Sequence, residues 1–237
     1  MYMLALETTG KIGSVALADG RGRVIHATRD EEMSHLREVI PMAQELLTQE
    51  QIGPTDLDLL AVSIGPGSFT GIRIGVSTTR TLAQALAIPV IPVMTLDVFR
   101  LQAKGHKVAA IIHARRGQVY GAIFDEEGRD LLKPGPYMLT EVMDRARGYS
   151  HVVWYGDGTD AYREELAGAE IAPKADRYQT ADLVCRAALA AWKRRGGVPY
   201  QDIYPEYMRK AEAEQKLEDG TLDRLRKEKR RRLLGHE

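Results

Sequence analysis

The residues best suited to chemistry stand in one short run, Ser63-Ile64-Gly65-Pro66-Gly67-Ser68-Phe69-Thr70-Gly71-Ile72-Arg73-Ile74-Gly75. An apolar run (57–64) precedes the glycines and a helix-like run (69–86) follows them. The segment therefore reads as strand, tight turn and helix start. Its glycines allow positive φ or close approach to another surface. Ser68 or Thr70 can cap the first turn, where unpaired N–H groups point outward. A helix N-terminus of this kind attracts phosphate through those N–H groups and the helix dipole. Two readings are open. In one, Gly65, Gly67, Ser68 and Gly71 are phosphate contacts; in the other, this is a capped turn with small residues for packing. The spacing matches neither G-x-G-x-x-G nor G-x-x-x-x-G-K-[ST], which excludes Rossmann and P-loop motifs.

Other reactive side chains form no constellation. His26, His106, His151 and His236 stand singly, His35 begins a helix, and His113 ends an apolar run near Arg115 and Arg116. No Ser/His/Asp or Cys/His arrangement has local support, so no catalytic residue and no metal ligand set is assigned. The single cysteine, Cys185, excludes an internal disulfide and a thiolate metal cluster.

The elements that position the glycine run come in a repeated order. Strands are expected at 4–7, 13–18 and 23–28, with Asp19-Gly20-Arg21-Gly22 as the hairpin turn. A helix follows at 34–49, where Pro41 should kink it or delay its start. Then come a strand (57–64), the glycine turn, a helix (69–87), a strand (89–93) and a helix (95–104). After Gly105 strands begin again at 108–113, 118–125 and 129–132. They are followed by a helix (140–147), a strand (151–155) and helices at 160–167 and 180–194. A β-β-β-α-β-α order thus starts twice, which marks an α/β fold with two like halves. The expected division is 1–104, 105–215 (the shorter, less regular copy) and a basic tail, 216–237. Within that tail, 224–232 holds seven basic residues and one acidic, which suits an RNA contact, a docking helix or a solvated terminal helix.

Bulk properties exclude few classes. The chain has 237 residues, 44% apolar and 28% charged, as an ordinary soluble globular protein does. Its 33 basic residues balance 33 acidic ones, so no global field steers it to nucleic acid or anionic membrane. The N-terminus lacks the basic and apolar regions of a signal sequence, and no apolar run reaches membrane-spanning length. The expectation is a cytoplasmic protein.

Several segments resemble the TsaB family, also called YeaZ. They are Leu4-Ala5-Leu6-Glu7-Thr8-Thr9 before Gly13-Ser14-Val15-Ala16-Leu17, then Ser34-His35-Leu36-Arg37-Glu38-Val39-Ile40-Pro41-Met42, and the Gly65–Gly75 run. Pro92-Val93-Met94-Thr95-Leu96, Ala114-Arg115-Arg116-Gly117-Gln118-Val119-Tyr120 and Tyr204-Pro205-Glu206-Tyr207-Met208-Arg209 continue the match. Position 113 is His where many members carry Asp. The resemblance implies the ASKHA fold of actin, sugar kinases and Hsp70, a duplicated ribonuclease H-like fold whose second half is reduced here. It also implies a partner of TsaD, the subunit that transfers threonylcarbamoyl to an adenosine beside the tRNA anticodon.

Against TsaD the chain departs at three places. The metal-binding N-H-x-x-x-H pattern is replaced in Met94-Thr95-Leu96-Asp97-Val98-Phe99, where Thr95 and Phe99 occupy the histidine positions. Lys11-Ile12 replace the acidic pair of the first loop, and Gly196-Gly197-Val198 follows charged residues instead of an apolar strand. The resemblance therefore implies a non-catalytic subunit that binds TsaD, pairs with itself when alone, joins a TsaE ATPase in a larger complex and meets tRNA indirectly. Its interface is expected on two helices, through His35, Leu36, Val39, Ile40, Ala43, Ile72, Ile74, Val76 and Thr79. No cofactor is required of this chain; ATP or ADP at the partner interface is left open. The alternatives are an ASKHA-type kinase or ATPase, for which the resemblance implies that Thr8-Thr9-Gly10 and the Gly65–Gly71 loop, Thr8, Thr9, Gly65, Gly67, Ser68 and Gly71 among them, face phosphates, and an RNA-binding module.

Overall fold

Continuous apolar runs bounded by glycine or polar turns make strands buried on both faces. A computed structural model of the chain describes residues 1–19, 23–29, 35–114 and 117–208, the side chains of 26–29 and 35–37 excepted. The Asp19–Gly22 turn in part, Arg115, Arg116, the His35 and Leu36 side chains and the whole tail lie outside it.

In chain order the first half contains β1 (Met3–Glu7), β2 (Gly13–Ala18), β3 (Val24–Arg29), α1 (His35–Gln49), β4 (Leu59–Gly65), α2 (Phe69–Leu86) and β5 (Val90–Met94). A 3-10 helix (Thr95–Gln102) leads into β6 (Lys107–His113), β7 (Gln118–Phe124), β8 (Asp130–Met138) and α3 (Leu139–Arg147). β9 (Val152–Tyr155), α4 (Gly158–Ala161), β10 (Glu170–Ile171) and α5 (Ala181–Arg195) complete the set. The strands form two five-stranded sheets, β3-β2-β1-β4-β5 and β8-β7-β6-β9-β10. β1 runs antiparallel to β2 and parallel to β4, with Leu4 opposite Leu17 and Leu60. β6 repeats this, antiparallel to β7 and parallel to β9. The two sheets share order and polarity, which is the duplicated ribonuclease H-like ASKHA fold. The second copy is reduced: β10 has 2 residues where β5 has 5. Both sheets belong to one compact unit, Met1–Glu206.

The core follows from strand alternation. Val108, Ala110 and Ile112 of β6 enter a core shared with Met3, Ala5, Ala61 and Ile91 of the first sheet. Ala109 and Ile111, pointing the other way, pack with Leu139, Val142 and Ala146 of α3. Helix α5 touches every strand of the first sheet. Ala181, Val184, Cys185, Ala188 and Ala191 put small side chains on its buried face, where a bulkier stripe would hold the sheets apart.

Several elements differ from the sequence reading. Helix α1 is unbroken from His35 through Pro41, so the proline does not delay its start. The expected helix at 95–104 is a 3-10 helix, and that at 160–167 is a single turn, α4. Strand β8 continues through Pro134 and Pro136 because it is an edge strand, paired only with β7, and an edge tolerates the missing N–H.

Candidate functional site

At the ends of β1 and β4 a glutamate and three hydroxyls are buried together. Glu7, Thr9, Ser63 and Thr95 are each at most 1% exposed. Glu7 Oε1 accepts from the Thr9 N–H and from Thr9 Oγ1, both at 2.5 Å. Its other oxygen accepts from Ser63 Oγ, and Thr95 Oγ1 donates to Thr9 Oγ1 at 3.3 Å. Burial pushes the Glu7 carboxyl above its ordinary range, against the hydrogen bonds from Ser63 and Thr9, which favour the charged form. These hydrogen bonds tie the ends of β1 and β4 and the start of the 3-10 helix into one hub. Sequence reasoning did not single out Glu7 or Ser63; the available signal was one acid closing an apolar strand.

Onto this hub the glycine run folds back. Thr8 Oγ1 donates to the Gly71 carbonyl at 2.7 Å, and the Ser68 N–H donates to the Thr9 carbonyl at 2.7 Å. Ser68 Oγ accepts from the Gly71 N–H at 3.2 Å and caps α2, as expected. A Cβ at Gly71 would lie 1.9 Å from the Thr8 carbonyl oxygen. Gly65, at φ 119°, faces the Glu206 carbonyl, and the Glu206 N–H donates to the Ile64 carbonyl at 2.8 Å. Of the six phosphate-contact candidates, Thr8, Thr9, Gly65 and Gly71 are thus buried against each other or against the chain at 206. Gly67 sits against Thr9, and Ser68 is spent as a cap. The first loop and the glycine loop pack together, and the small residues allow this close approach.

The interface candidates divide by helical period. Val39 and Ala43 of α1, and Ile72, Val76 and Thr79 of α2, are at most 6% exposed and belong to the chain's own core. In the free chain these five face inward, so of the expected interface residues with described side chains, Ile40 and Ile74 are the ones that reach solvent. Ile40 is 41% exposed and Ile74 is half-buried. Thr78, Leu82 and Leu86 continue the Ile74 stripe, each half-buried. Spacings of four residues align this stripe on one face, whereas 72, 76, 79 and 83 align the buried one. Arg73 and Ser77 flank the stripe, exposed.

The positions that the resemblance sets against the transferase's histidines are also core. Thr95 and Phe99 are fully buried, with the Phe99 ring 6.2 Å from that of Tyr155. Asp97 is bound by Arg100 at 2.9 Å. Among the described residues no three His, Cys, Asp or Glu side chains are grouped to hold a metal ion. Burial pushes the Cys185 thiol up to about 12, which leaves no thiolate nucleophile near neutral pH. His113 is exposed beside Tyr162, ring centres 5.5 Å apart, with its backbone N–H on Asp157 at 2.9 Å. No helix of the described residues is long and apolar enough to cross a membrane.

Comparison with known proteins agrees with this architecture. A family model described as TsaD, tRNA N6-adenosine threonylcarbamoyltransferase, matches residues 29–217. The Bacillus subtilis tRNA threonylcarbamoyladenosine biosynthesis protein TsaB is 28% identical over 91% of this chain and 97% of its own length. The Haemophilus influenzae TsaB is 36% identical, but the match spans 51% of this chain and 52% of that protein. With the Escherichia coli TsaB it is 38% identity over 54% and 58%. Thus the chain spans about half the length of two of these relatives and nearly all of the third. A Pseudomonas aeruginosa structure described as similar to the peptidase YeaZ superposes with a TM-score of 0.73 at 27% identity, covering 88% of this chain and 99% of that one. A second, described as YeaZ from the same organism, gives 0.70 at 27% identity, covering 87% and 99%. With a family model matched over most of its length and TsaB and YeaZ proteins as its relatives, the chain belongs to the TsaD family, in its TsaB (YeaZ) branch.

Proposed function

We propose that this chain acts in making N6-threonylcarbamoyladenosine on tRNA as a non-catalytic subunit that binds a TsaD-type transferase and holds it in a competent state. One observation carries the reading. The two positions that correspond to the transferase's metal-binding histidines hold Thr95 and Phe99, both sealed in the core, where neither a metal nor a substrate reaches them. The names of the relatives support the pathway, and the half-buried stripe of α2 with Ile40 of α1 supplies an apolar surface for pairing. The same surface pairs two copies when the transferase is absent. A TsaE-type ATPase joins the larger complex, any ATP or ADP sits at a subunit interface, and tRNA is met through the partner.

The test is a binding titration with the TsaD of the same organism, followed by sedimentation. Ile40→Glu and Ile74→Glu are each expected to weaken the complex at least about tenfold, since a charge is then buried in an apolar contact. Both side chains reach solvent in the free chain, so thermal stability should hold. Wild-type affinity in the double variant would overturn the assignment of this face.

A further inference from the structure

Between the β1–β2 turn and the segment from β9 to α5 lies a cavity of about 300 Å³. That is the lower end of the range for small-molecule sites. Gln179 lines it and is 3% exposed, yet neither Nε2 nor Oε1 of its amide has a hydrogen-bond partner among the described residues. Buried amides are nearly always paired, because burying one unpaired is unfavourable. Gly10 is what lets this amide reach the cavity wall: a Cβ there would stand 2.7 Å from Nε2.

The charged lining is complementary to a ligand with distinct ends. Asp160 is satisfied by the chain itself, with Arg177 at 2.6 Å on one oxygen and the Tyr178 hydroxyl at 2.6 Å on the other. Asp157, 9% exposed, has one oxygen on the His113 N–H at 2.9 Å and no hydrogen bond to the second among the described residues. Lys11 and Lys174 also line the cavity, both exposed and without an ion pair among the described residues. The open groups are thus two ammonium ions, one carboxylate oxygen and both atoms of an amide. A nucleotide is a poorer fit, because Thr8 and Thr9 fill the glycine loop that would cradle its phosphates.

We propose that this cavity binds a small carboxylate that also carries an amide. Its amide pairs with Gln179 and donates to Asp157, and its carboxylate is held by Lys11 and Lys174. A neutral amide and an anion on one short molecule satisfy every open group at once.

Succinamate, whose primary amide has the two N–H donors that Gln179 and Asp157 require, is the probe, titrated into the 15N-labelled full chain and followed by amide shifts. Saturable shifts are expected at Gly10, Lys11 and the Gln179 side-chain amide, with a dissociation constant on the order of millimolar. Acetate and acetamide, each with one of the two groups, should bind at least about tenfold more weakly. Lys174→Met, at an exposed position, should reduce affinity several-fold, and Gln179→Leu should abolish the saturable shifts. If Gln179→Leu fails to fold, the Lys11→Met/Lys174→Met double variant decides, with loss of binding expected. Absence of saturable shifts with the wild-type chain, equal binding of acetate alone, or unchanged affinity in the lysine variants would overturn the proposal. So would ATP with magnesium shifting the same residues at lower concentration.

Discussion

Gly71→Ala places a single methyl group where the first loop meets α2, and its effect can be worked from the geometry. The new Cβ would lie 1.9 Å from the Thr8 carbonyl oxygen and 3.3 Å from the Ser68 Cβ. Real contacts to a Cβ stay beyond about 3 Å, so α2 or the loop must shift by about 1 Å. Overpacking of this kind costs about 1–3 kcal/mol or more, and the obstacle here is backbone, which cannot rotate away. A backbone obstacle puts the clash at the upper end, about 3 kcal/mol, and alanine returns about 1 kcal/mol through helix propensity, leaving a net loss of roughly 2 kcal/mol. For a chain of this size that lowers the melting temperature by roughly 4–8 °C. Calorimetry and urea unfolding measure the loss. Ser77→Ala, exposed on the same helix, is the control and should shift stability by no more than about 0.5 kcal/mol. Because α2 carries Ile74, the shift should also weaken partner binding. A Gly71→Ala variant as stable as wild type would refute the packing role of the glycine run.

Two further substitutions probe buried polar groups. Glu7 has its folded-state value raised by burial, so its contribution is complete below its ordinary value of 4.5 and is lost as pH rises toward the folded value. Glu7→Gln should therefore gain on wild type as pH climbs above 4.5, read as urea midpoints across a pH series; a gap that stays constant or reverses contradicts the burial argument. Thr79 Oγ1 is buried with no hydrogen-bond partner among the described residues. Thr79→Val should hold or raise stability by about 1 kcal/mol in the same unfolding assay, and a loss larger than that would reveal a partner for the hydroxyl.

What the sequence showed depended on local pattern. The duplicated strand order was legible because the runs at β1, β4 and β6 are mostly apolar and are bounded by polar or turn residues. The capped start of α2 was legible from Ser68 for the same reason. Legibility failed where a choice depends on what packs opposite. Ile72, Ile74, Val76 and Leu82 look alike in sequence, and only the position of β4 beneath α2 separates the buried 72/76/79/83 face from the half-buried 74/78/82/86 one. Val76 was a candidate partner contact; it is 2% exposed, and a glutamate there would test folding instead of binding. Thr8 and Gly71 meet across 63 positions, a contact no local spacing encodes. The cavity residues are dispersed likewise, with Lys11 in the first half and Asp157, Lys174 and Gln179 in the second. Pro41 did not delay α1, which includes it from His35 onward, and β8 runs beyond the expected 129–132 through Pro134 and Pro136 because an edge strand tolerates a missing N–H.

The central claim is that the chain contributes contact and not chemistry. The most direct measurement is transfer of threonylcarbamoyl from threonylcarbamoyl-AMP to tRNA by the TsaD of the same organism, with TsaE and ATP, in the presence and absence of this chain. Each component is also assayed alone. Modified adenosine should form only when this chain and TsaD are combined, and this chain alone should form none. Equal product from TsaD without this chain, or product from this chain without TsaD, would contradict the account.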